Sequence, residues 1–107
     1  MAGTSEIFRE AGARVAANPS RVAGLDAGFQ FDLQGDGGGV YHIDIAGGVA
    51  DVGAGPSSSP NVTISMAATD FVELATGKLN PVQALMSGKL KLKGDLGLAL
   101  RLQSILG

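Results

Sequence analysis

A chain of 107 residues has room for one domain around one core, since domains run from roughly 50 to 200 residues, and a second domain is excluded. With 45% hydrophobic and 17% charged residues, it is too apolar for a disordered chain and too often interrupted by polar residues for a membrane span. The absence of cysteine and the single histidine, His42, exclude disulfide scaffolds, thiol chemistry and thiolate or multi-histidine metal centres, while a net charge of -2 gives no bulk attraction for nucleic acid.

The opening Met1-Ala2-Gly3-Thr4 runs into Ser5-Glu6 with neither a basic head nor a long apolar run. That is not the pattern of a secretory signal, and it points to a cytoplasmic protein. From Thr4 to Ala17, the spacing of Ile7, Phe8, Ala11 and Val15 predicts an amphipathic helix that Asn18-Pro19 stops. The runs Phe29-Gln30-Phe31-Asp32-Leu33 and Tyr41-His42-Ile43-Asp44-Ile45 alternate with period two and predict two strands facing one core. Between them, Asp36-Gly37 supplies the turn residues of a hairpin. A weaker third strand is expected around 49–52, then an exposed loop over 53–60, whose Gly-Ala-Gly-Pro-Ser-Ser-Ser-Pro composition argues against a ladder.

Alternation resumes in Val62-Thr63-Ile64-Ser65-Met66 as a fourth strand. Thr69 or Asp70 then caps a short helix that ends at Gly77. Asn80-Pro81 opens a second short helix, with Asn as cap and Pro at the first helical position, ending at Gly88. Lys89-Leu90-Lys91-Leu92-Lys93 sends leucines one way and lysines the other, as a strand does. After Gly94-Asp95, a final helix carries Gly97, Arg101 and Ser104 on one narrow polar face and leucines over most of the rest. This order implies an α+β domain with one mainly antiparallel sheet covered on one face by helices.

No enzyme signature stands out. Neither Gly77-Lys78 nor Gly88-Lys89 is followed by Ser or Thr, as a phosphate loop requires, and Gly with Lys at a helix end explains both places. His42 falls on the polar face of its strand beside Asp44, and Asp32, Asp44 and Asp51 fall at positions expected to face water. No nucleophile has a base placed beside it, and Ser57, Ser58 and Ser59 lie in the predicted loop. The Lys89, Lys91, Lys93 row has two readings: protection of an edge strand against pairing, or attraction to an anionic membrane surface or headgroup.

These residues resemble the sterol carrier protein 2 (SCP2) domain family. The resemblance rests on the first hairpin and on the longer run Asn61-Val62-Thr63-Ile64-Ser65-Met66, Asp70-Phe71, Thr76-Gly77-Lys78-Leu79-Asn80-Pro81, Gly88-Lys89-Leu90-Lys91-Leu92-Lys93-Gly94-Asp95 and Leu98-Ala99-Leu100-Arg101-Leu102. It covers roughly Glu6 to Leu106. It implies a five-stranded sheet with an apolar tunnel that takes a fatty acid, acyl-CoA, sterol or related lipid, with no cofactor and no catalysis. Carried onto this chain, the tunnel wall comprises Phe71, Leu74, Val82, Leu85 and Met86, the strand residues Leu90 and Leu92, and Leu96, Leu100 and Leu102, with Arg101 turned to water. The expected role is non-enzymatic lipid binding or transfer. The alternatives are an accessory domain presenting an acyl or isoprenoid substrate to a lipid-metabolising enzyme, and a structural dimerisation domain with a filled core.

Overall fold

The computed structural model of the chain describes residues 3–99 and Arg101, the side chain of Arg21 apart. Helix α1 covers Thr4–Ala17, the bounds read from its spacing. Its Ile7, Phe8, Ala11 and Val15 are buried as one stripe, because residues three and four apart share a helix face. A short 3-10 turn, Pro19–Val22, leads into β1, Ala27–Gln34. β2, Gly39–Ala46, and β3, Val49–Ala54, follow as an antiparallel meander. Then come β4, Pro60–Ala67, α2, Ala68–Ala75, α3, Pro81–Ser87, and β5, Leu90–Gly94. Residues 96–99 and Arg101 are helical. No helix among the described residues is long and apolar enough to cross a membrane.

The five strands form one sheet in the order β3-β2-β1-β4-β5. Three pairings are antiparallel, while β1 and β4 at the centre run parallel, so the sheet is mixed although mainly antiparallel. The inward side chains of β1, β2 and β4, among them Phe29, Phe31, Ile43, Val62 and Ile64, are buried against the helices. At the middle of this core, the Phe8 ring stacks on Tyr41 at 4.7 Å and on Phe71 at 5.1 Å, and meets Phe31 edge-on at 5.0 Å. Offset and edge-to-face ring pairs add about 0.5–1.5 kcal/mol each beyond the area they bury.

The stretch expected to be an exposed loop is organised differently. Gly53 and Ala54 extend β3 and pair with His42 and Tyr41. β3 runs parallel to β1 and β4, because it is antiparallel to β2. Parallel strands ordinarily need a crossover of about a dozen residues or more, yet residues 55–59 span this one. They do so as a strap across the outer face of the sheet. The Gly55 N–H donates to Val40 O at 2.7 Å, the Ser57 N–H donates to Gln30 Oε1 at 3.3 Å, and Ser57 Oγ donates to Asp44 Oδ1 at 2.5 Å. Ser57 is therefore buried, and Asp44 faces the strap rather than open water. Composition hid this, because the strap is held by side chains far away in sequence. Gly28 lies directly beneath it: a Cβ there would come within 2.4 Å of Ser59 O and 2.6 Å of Ser57 Oγ.

Candidate apolar ligand site

The residues expected to wall a tunnel come from α2, α3, β5 and the start of the last helix. α2 begins at Ala68 with no side-chain cap, earlier than Thr69 or Asp70 would place it. Its start is set by β4 running directly into it and by burial of Ala68 and Phe71. α3 starts as read: the Asn80 side chain accepts from the N–H groups of Val82 at 2.8 Å and Gln83 at 3.2 Å, satisfying donors that a first helical turn leaves open. Gly88 ends it in the left-handed conformation, φ 82°, which an L side chain adopts only at a cost.

Depth divides the expected wall into two groups. Phe71 and Leu90 are buried, and Leu74 and Leu92 are half-buried and packed against the core. β5 pairs with β4 so that Leu92 stands opposite Ile64 and Leu90 opposite Met66, which continues the inner face of the sheet to its edge. By contrast, Met86 is 82% exposed, Val82 53%, Leu96 52% and Leu85 38%. A helix of seven residues makes under two turns, so one face of it reaches the core, and Ala84 is the buried residue that does. Val82, Leu85 and Met86 therefore face outward.

The last helix is capped by Asp95, whose Oδ1 accepts from the N–H groups of Gly97 at 2.8 Å and Leu98 at 3.3 Å. Leu98 and Ala99 pack against the core, whereas Leu96 in the first turn does not bury. Leu79 packs against the core as well; Leu79, Leu98 and Ala99 were not among the residues expected to wall the tunnel. Leucines at 96, 98, 100 and 102 step about 200° apart on a helix, so they alternate sides and their spacing does not choose a phase. Leu100 and Leu102 lie outside the described residues; Arg101 is exposed, as expected.

β5 is an edge strand and its Lys91 and Lys93, with Lys89 before it, are exposed, an arrangement that serves either protection of the edge from pairing or attraction to an anionic surface. A separate cleft of about 420 Å³ opens on the far side of the sheet, bordered by Asp26, Ala27, Asp44, Asp51, Ser59 and Asn61. Among the described residues, none expected on the tunnel wall borders it.

A family model described as the SCP-2 sterol transfer family matches residues 8–107. The chain is 49% identical over 80 residues to hydroxysteroid dehydrogenase-like protein 2 of Xenopus tropicalis, a match covering 74% of this chain and 19% of that protein. To the Homo sapiens protein of the same name it is 41% identical over 86 residues, covering 79% of this chain and 21% of that one. The chain thus spans about a fifth of the length of these curated relatives. Among solved structures, palmitated SCP2L2 from Aedes aegypti superimposes with a TM-score of 0.75 at 26% identity, covering 98% of this chain and 95% of that one. The apo form of sterol carrier protein 2 from Yarrowia lipolytica shares the fold, with a TM-score of 0.76 at 24% identity, covering 94% and 84%.

Proposed function

The chain belongs to the SCP-2 sterol transfer family, and from that premise we propose that it binds one long-chain fatty acid or similarly apolar molecule by burial alone, without catalysing a reaction. The observation that carries this is the number of large apolar side chains left uncovered on α3 and at the start of the last helix. Val82, Leu85, Met86 and Leu96 stand exposed, while Leu74 and Leu92 are half-buried and pack on the core. Leaving such side chains in water forgoes about 1.5–3 kcal/mol each relative to full burial. Phe71, Leu74, Leu90 and Leu92 form the floor of the site; Val82, Leu85, Met86 and Leu96 are the rim that folds over the tail. An Aedes aegypti relative is described as palmitated, which names the class of ligand to try first.

Burying about fourteen methylenes at about 0.8 kcal/mol each gives roughly 11 kcal/mol gross, and loss of translational freedom costs at least about 4. The remainder corresponds to micromolar affinity. Affinity should therefore follow tail length. A fluorescent long-chain fatty acid is expected to bind about one per chain and to be displaced far better by palmitate than by octanoate. Equal competition by the two acids would show that the bound molecule is not held by its tail.

A second reading is favoured by the identity shared with a fifth of hydroxysteroid dehydrogenase-like protein 2. In that reading the domain presents a bound acyl or isoprenoid substrate to a lipid-metabolising enzyme. Recovery of the chain in a stable complex with such an enzyme supports presentation, whereas lipid retained tightly by the isolated chain supports a carrier.

A further inference from the structure

The protein's single histidine lies on the outer face of the sheet, away from the apolar surface. On β2, His42 and Asp44 point the same way, two residues apart, and β3 sets Asp51 directly opposite Asp44. One ligand atom from each of the three lies within 4.8 Å of the others. We propose that His42, Asp44 and Asp51 bind a divalent cation of the Zn2+ type.

Two of the three are oriented by groups outside the cluster. His42 Nδ1 lies 3.1 Å from Gly55 O, and because a carbonyl can only accept, Nδ1 carries a proton, so the neutral form of the ring has its lone pair on Nε2. Nε2 faces the carboxylates, 3.7 Å from Asp51 Oδ2. Asp44 Oδ1 accepts from Ser57 Oγ, which leaves its second oxygen for a ligand. Metal-binding histidines and carboxylates are held in this way, the non-ligating atom fixed by a carbonyl or hydroxyl. Here the strap supplies both supports, from Gly55 and Ser57.

Charge points the same way. Two carboxylates facing each other across an antiparallel pair repel, and the sequence holds no Lys or Arg between Asp26 and Glu73, so β1 to β4 contain none. A cation between Asp44 and Asp51 converts that repulsion into attraction. An imidazole nitrogen with two carboxylate oxygens suits Zn2+ or its neighbours rather than Ca2+ or Mg2+, which prefer oxygen alone. Zn2+ bonds of about 2.0–2.2 Å require donors about 3.2–3.6 Å apart. The carboxylates must therefore close slightly, and Asp51, whose side chain is 81% exposed, is free to swing. The cleft bordered by Asp44 and Asp51 gives the ion an entry path and room for water as a further ligand.

Titration of Zn2+ into the untagged full chain, followed by calorimetry, tests the site. One Zn2+ per chain at micromolar or tighter affinity is expected, and Co2+ in its place should give visible absorption of a low-coordinate site. Because Asp51 is exposed, Asp51→Asn should fold as the parent does. It should weaken Zn2+ at least about tenfold, since even outer partners of metal ligands are worth about 10- to 100-fold. His42→Gln should do the same, and Asp36→Asn, in the β1–β2 turn, should change nothing. Far-UV circular dichroism and the urea midpoint of each variant report whether it is folded. No saturable binding up to millimolar Zn2+, undiminished binding by folded Asp51→Asn, or an equal loss in Asp36→Asn would overturn the assignment.

Discussion

The two halves of this molecule handle apolar surface in opposite ways. Around α1, β1, β2 and β4 the inward side chains close on one another: Phe29, Ile43 and Val62 are 0% exposed and Phe31 is 1%. Around α3 and the start of the last helix, Met86 and Val82 are left more than half in water. Hydropathy does not distinguish the two, since both hold leucine, valine and methionine. Element length does. α1, with 14 residues, makes almost four turns and lays four apolar residues on the sheet, whereas α3 with seven buries Ala84 alone. A short helix rich in large apolar residues is a poor way to fill a core and a good way to leave a surface for something else to cover.

If the first half is closed core, truncating its centre should be costly for stability. Phe31 contacts both Phe8 and Phe71 as rings, and Phe31→Ala should lower the unfolding free energy by about 3–5 kcal/mol. That is a large share of the 5–15 kcal/mol a domain typically has, so the urea midpoint should fall steeply. A loss below about 1 kcal/mol would mean the ring cluster is loosely packed and the contrast between the halves is false.

A smaller effect is expected on the outer face. Gly28→Ala places a methyl against Ser59 O and Ser57 Oγ, and because β1 is central to the sheet the strap must move instead. Overpacking of this kind costs about 1–3 kcal/mol. Urea unfolding of Gly28→Ala reads that cost, and an unchanged midpoint would show that residues 55–59 do not press on β1.

Much of this was legible from residue order. The limits of α1, the Asn80 cap, the Gly88 stop and the leucine-inward phase of β5 follow from periodicity and local hydrogen-bonding chemistry, and the structure places them where those rules do. The parallel pairing of β1 with β4 was not legible. Alternation in Phe29-Gln30-Phe31 and Val62-Thr63-Ile64 shows that two strands exist and which sides are apolar, not which strands are neighbours. The strap escaped for the same reason, as its supports Gln30, His42 and Asp44 lie 13 to 27 residues away. In the candidate site, Leu90 and Leu92 were readable because strand alternation has two faces. Val82, Leu85 and Met86 were read as wall residues without a sense of direction, which a helix under two turns long does not encode in its own spacing.

The smallest change in stability should accompany the most informative change in binding. Met86 is 82% exposed, so in the free protein Met86→Gln removes little packing, and exposed substitutions usually stay within about 0.5 kcal/mol. If a lipid tail covers that side chain, the amide instead meets methylenes and the apolar contact is lost. The loss should be about 1.5 kcal/mol or more of binding free energy, which corresponds to roughly tenfold weaker palmitate binding. Val49, 67% exposed on the opposite edge strand, is the matched control. Val49→Gln changes exposed apolar surface as Met86→Gln does, but far from α3, and should leave both urea midpoint and palmitate affinity alone. Should Met86→Gln bind palmitate as tightly as the parent, the rim does not close over the tail, and the exposed residues of α3 have no part in holding it.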